Sequence, residues 1–116
     1  MSCNKKPVIN LDSNFEGKWF HYETAEKFKY LTIHNNSKGD IYTSEGWENG
    51  LYYTQTRKWF IRNQTLEFGH GSPSWEKFEI DSFPVIAIDT ATIGENRIEI
   101  GDKYMWLDGR IYVSGE

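Results

Sequence analysis

The punctuation of this chain constrains its fold most. Short runs rich in aromatic and β-branched residues alternate with clusters of Gly, Asn, Asp, Ser and Pro. Such residues favour the pleated, half-buried surface of a strand, and the breakers between them favour turns. Asn49-Gly50 and Asp108-Gly109 are tight-hairpin dipeptides, because both central residues of a type I′ turn need positive φ. No stretch keeps the i, i+3, i+4, i+7 spacing of an amphipathic helix. Glu23–Lys29 comes nearest and is long enough only for a helical turn between two strands. The pattern predicts an all-β fold: a single antiparallel up-and-down β-barrel of about 8–10 short strands, with a β-sandwich as the alternative. Tight hairpins favour the barrel, since a Greek-key sandwich needs long crossovers.

A chain of 116 residues makes one domain. The predicted division is a flexible N-terminal tether at 1–14 and a β-barrel domain at 15–116. Aromatic residues make up 16% of the chain, so the core is built from few, large pieces. The net charge of −4 and the lack of a Lys/Arg cluster argue against a nucleic-acid partner. A single cysteine, Cys3, rules out an internal disulfide.

Phe15-Glu16-Gly17-Lys18-Trp19 resembles the F-x-G-x-W opening of the lipocalin and fatty-acid-binding superfamily. The resemblance implies that Trp19 begins the first strand and plugs one end of the barrel. It also implies that an Arg of the last strand, here Arg110, packs across that indole. The chain lacks the lipocalin C-terminal helix and the two-helix lid of fatty-acid-binding proteins. The opening Met1-Ser2-Cys3-Asn4-Lys5-Lys6 resembles the mature end of a bacterial lipoprotein. That likeness implies lipidation at Cys3 and a lipid-anchored, periplasmic place in the bacterial cell envelope; the alternative is a cytoplasmic protein with a chance cysteine. A membrane would then be reached only through the lipid.

Several strands are aromatic on both faces, as in Trp19-Phe20-His21-Tyr22 and Tyr104-Met105-Trp106-Leu107. Strand alternation separates an inner from an outer face, so a two-sided strand needs cover on both. Either the outward rings form a patch for a protein partner or a second copy, or a curled sheet lets Tyr hydroxyls reach water. Function follows that choice. The first expectation is a non-catalytic binding protein, a lipocalin-like barrel holding a small apolar or amphipathic ligand against Tyr42, Trp47, Tyr53, Trp59, Phe78 and Trp106. The alternative is an envelope lipoprotein or inhibitor-type protein that binds another protein through an exposed aromatic patch.

The sequence leans against an enzyme, with catalysis by the His70 loop as a third reading, and it marks no metal or cofactor. His21, His34 and His70 lie in separate segments, without ligand spacing. The loop Gly69-His70-Gly71-Ser72-Pro73-Ser74 could pair a His with a hydroxyl, yet it lacks G-x-S-x-G spacing and is turn chemistry first.

Overall fold

A computed structural model describes residues 9–10, 13–34, 38–44, 52–56, 58–69 and 75–114, with 9–10, 52–56 and 75 given by their backbone. Described strands are β1 (Ile9–Asn10), β2 (Gly17–Tyr22), β3 (Phe28–Ile33), β4 (Gly39–Thr43), β5 (Tyr52–Thr56), β6 (Lys58–Arg62), β7 (Thr65–Gly69), β8 (Trp75–Ile86), β9 (Ala91–Ile93), β10 (Asn96–Ile98), β11 (Lys103–Leu107) and β12 (Arg110–Ser114). A 3₁₀ turn, Ser13–Phe15, precedes β2.

The fold is an all-β antiparallel barrel. The sheet runs β6-β7-β8-β11-β12-β2-β3-β4-β5, with β1 added outside β6. Only residue 57 separates β5 from β6. β5 pairs with β4 and β6 pairs with β7, so the chain itself joins the two edges of the sheet. Counting β5 and β6 as one bent strand gives an eight-stranded, nearly closed barrel. β9 and β10 form a separate hairpin inserted between β8 and β11.

Local chemistry accounts for most of the elements. At the β11–β12 turn, Asp108 has φ 52° and Gly109 φ 75°, as a type I′ hairpin requires. The predicted helical turn at Glu23–Lys29 is not helical. Thr24 Oγ1 instead accepts from the backbone N–H groups of Glu26 (3.3 Å) and Lys27 (3.1 Å), and Phe28 already belongs to β3. A short polar side chain bonding its neighbours' backbone competes with helix in this way. β8 runs through Pro84 for 12 residues. Its register with β11 slips between Val85 and Ser82, so Phe83 and Pro84 fall in a bulge that asks nothing of a ladder. The Asn49-Gly50 turn lies outside the described residues.

The barrel interior is packed. Trp19, Leu31, Ile33, Ile41, Trp59, Ile61, Leu66, Phe68, Phe78, Ile80, Met105, Leu107 and Tyr112 are buried and form one cluster with Phe15. A second, smaller cluster lies outside the barrel: Ala87, Ile98, Ile111 and Val113, with Tyr104 and Trp106 packed on it. The β9–β10 hairpin thus covers the outward apolar face of β11 and β12, which explains why those strands are apolar on both sides.

Candidate functional site

Three places combine geometry with chemistry: the plugged end, the seam between β12 and β2, and the outer face of β2–β4.

At the start of β2 the 3₁₀ turn lays the Phe15 ring 6.4 Å from Trp59 and 5.8 Å from Phe83. Trp19 is fully buried, and its Nε1 donates to the Phe15 carbonyl at 2.7 Å. The cation beside its ring is Lys103, not Arg110. Lys103 Nζ stands 5.6 Å from the indole centroid and donates to the carbonyls of Asn14 (3.1 Å) and Glu16 (3.4 Å). Strand direction explains the exchange. β12 runs antiparallel to β2 with Ser114 opposite Trp19, which puts Arg110 at the far end of the pair. Lys103 pairs with Ser114 and so shares Trp19's layer.

Arg110 belongs to the seam, where its Nε lies 3.2 Å from Glu23. Only two residue pairs, Val113–Phe20 and Ser114–Trp19, bind β12 to β2 among the described residues. Beyond them side chains replace the ladder. His21 Nδ1 donates to the Ile111 carbonyl at 2.7 Å, and its Nε2 is 3.3 Å from Glu23. The Asn96 amide, buried, accepts from Tyr22 N–H at 2.7 Å and donates to the Tyr22 carbonyl at 3.0 Å. These bonds serve backbone groups that would otherwise be left unpaired. They also clip the β9–β10 hairpin to the edge of β2.

The Glu23 carboxyl is held below its usual range, chiefly by the His21 hydrogen bond; burial opposes this and Arg110 adds to it. A depressed carboxylate stabilises the fold above the ordinary glutamate range, and that support fades as pH falls through its folded value. Glu23→Gln is therefore expected to be less stable than the parent at neutral pH and equal to it in acid. The side chain is 39% exposed, so solvent screening should keep the difference below about 1 kcal/mol. Urea midpoints of both proteins across that pH range measure it. A gap that widens in acid would reverse the assignment.

On the outside of β2–β4 stand Phe20, Tyr22, Phe28, Tyr30 and Tyr42, all half-buried. Each touches its neighbours. Phe20–Tyr30 and Tyr22–Phe28 are 5.2 Å apart, Tyr30–Tyr42 5.0 Å and Phe28–Tyr42 6.0 Å. Planes within 19° at 5.0 Å, for Tyr30 and Tyr42, mean that the two ring faces overlap in an offset stack. Rings lying flat on the sheet would sit further apart. Lys18 Nζ covers Tyr30 at 4.6 Å. Tyr30 and Tyr42 therefore spend one ring face on each other, while Phe20–Tyr30 and Tyr22–Phe28 meet tilted by 43° and 34°.

Of the six residues expected to line a ligand cavity, the four with described side chains do not converge. Trp59 and Phe78 are core, with Trp59 Nε1 bonded to the His34 carbonyl at 2.8 Å. Tyr42 points outward into the aromatic face, and Trp106 lies beneath the β9–β10 hairpin. Tyr53 sits in β5 opposite Tyr42 by its backbone. Trp47, the Tyr53 side chain, Cys3 and the His70 loop lie outside the described residues. Of the other histidines, His34 is exposed with Nε2 3.4 Å from Asp40, and His21 is the buried seam residue. The sequence reading missed Lys103 and Asn96. Parity along β11 could have found Lys103, since it alternates in step with the buried Met105 and Leu107. Nothing in the sequence marks Asn96, because it looks like any other turn residue.

Among the described residues no group of His, Cys, Asp or Glu could hold a metal ion. The fold and its surfaces define the chain as an all-β barrel protein with an aromatic outer face. No protein-family model, curated protein or solved structure matches it.

Proposed function

We propose that this chain is a non-catalytic, lipocalin-like binding protein that engages another protein through the outer aromatic face of β2, β3 and β4. The carrying observation is the contiguous set of Phe20, Tyr22, Phe28, Tyr30 and Tyr42, outward and half-buried. Tyrosine-rich patches presenting ring edges and hydroxyls suit protein surfaces, where each ring offers apolar area and a polar tip at little entropic cost. A nucleobase needs an open ring face to lie on, and Tyr30 and Tyr42 already stack on each other, with Lys18 over Tyr30. A ligand inside the barrel is less well supported, because the described interior is packed with large side chains. The envelope reading, with lipidation at Cys3, belongs to the same proposal and would hold the domain near its partner at a membrane.

Photo-crosslinking tests this in the cells that make the protein. Benzoylphenylalanine at Tyr30 or Tyr42 is expected to give one discrete protein adduct, and the same probe at the exposed Lys77 none. The adduct at position 42 should disappear when Phe28→Ser is added to a still-folded chain. Equal adducts from all three positions, or none from the face, would overturn the proposal.

A further inference from the structure

A groove of about 330 Å³ lies outside the barrel, between the β9–β10 hairpin and β11. That volume reaches the range of small-molecule sites. Tyr104 and Trp106, pointing outward from β11, form part of its wall together with Ile98. Ile88 and Ile93 stand at its rim, 91% and 38% exposed. A side chain as bare as Ile88 has little in its own fold to pack on, and an apolar occupant would cover it. The charge is one-sided: Asp89 lines the groove and no Lys or Arg does. One Asp89 oxygen already accepts from the Thr90 N–H at 2.9 Å, and a carboxylate has acceptor capacity to spare.

We infer that this groove binds a small cationic amphiphile, an alkylammonium or arylammonium. Its apolar body would lie against Trp106, Tyr104, Ile93 and Ile98, and its charge beside Asp89. A fatty acid would set its carboxylate against Asp89 with no cation in the lining to compensate, so the groove selects by sign as well as by shape. The site is separate from the aromatic face on β2–β4, and either can fail without the other.

The probe is n-octylammonium, titrated into the ¹⁵N-labelled full chain and read at the Trp106 indole N–H resonance. Octanoate is the control of opposite charge. The expected result is a saturable shift with n-octylammonium and at least about tenfold weaker binding of octanoate. Asp89→Asn should bring the two affinities together. Ala91→Phe, which fills the groove from an exposed position on β9, should abolish the response while the circular dichroism stays unchanged. The inference is overturned by an absent or non-saturating shift, by octanoate binding as well as n-octylammonium, or by a response that survives Ala91→Phe. It is also overturned if the resonance moves on dilution of the protein alone, which would mean a second copy covers the groove.

Discussion

Trp19→Ala is expected to cost roughly 3–5 kcal/mol, the range for truncating a large buried aromatic. The indole is fully buried, and its removal leaves a cavity under the 3₁₀ turn. It also takes away the donor that satisfies the Phe15 carbonyl and the ring beside Lys103. For a domain near this size the loss corresponds to a fall of roughly 15–25 °C in Tm. Against a total stability of about 5–15 kcal/mol, the variant would be marginal at best. Two companions give the result its meaning. Lys103→Ala should cost about 1–2 kcal/mol, because it removes both carbonyl contacts and the cation–π contact at once. Arg110→Ala should cost less, since Arg110 is partly exposed and paired with the exposed Glu23. Urea denaturation of the three proteins decides it. An Arg110 effect as large as that of Lys103 would restore the sequence-based assignment of the plug.

Gly39→Val should cost roughly 3 kcal/mol by overpacking. A Cβ at position 39 would meet Phe68 carbons at 2.7 and 2.9 Å and the Thr32 carbonyl oxygen at 3.1 Å. The glycine is needed for space. Phe68 cannot swing away, being fully buried and set edge-on to Phe78 at 5.9 Å. The diagnostic is coupling between Gly39→Ala and Phe68→Leu. Each destabilises alone, and together they should cost about 1 kcal/mol less than their sum, since the smaller leucine frees the room the methyl needs. Full rescue is not expected, because the Thr32 carbonyl is backbone and stays where it is. Strict additivity in thermal or urea unfolding would place the conflict elsewhere.

The architecture was legible in the sequence because hairpins are local. Asp108-Gly109 named its own turn. That a strand passes through Pro84 shows only in the partner strand, where the register slip puts the residue in a bulge. Trp19 was placed correctly in the first barrel strand, but its companion was not. Choosing between Arg110 and Lys103 requires the pairing of β12 with β2, a relation between distant segments that no local window contains. The two-faced aromatic strands were seen but not resolved. Some outward rings stack on one another, as Tyr30 does on Tyr42, while Tyr104 and Trp106 are roofed by a hairpin that the sequence reading did not foresee.

The seam has a consequence for how the ring comes to exist at all. His21 and Ile111 are separated by 90 residues, whereas the other described strand pairs, β1 on β6 apart, join the next strand along the chain or one that lies an inserted hairpin away. This join closes the longest loop among the barrel neighbours and carries the largest single closure cost, although that cost grows only logarithmically with length. Two residue pairs, one imidazole, one amide and the Arg110–Glu23 ion pair hold it closed. Without them the same hairpins would form a curled open sheet, with β2 and β12 as raw edges ready to template other chains.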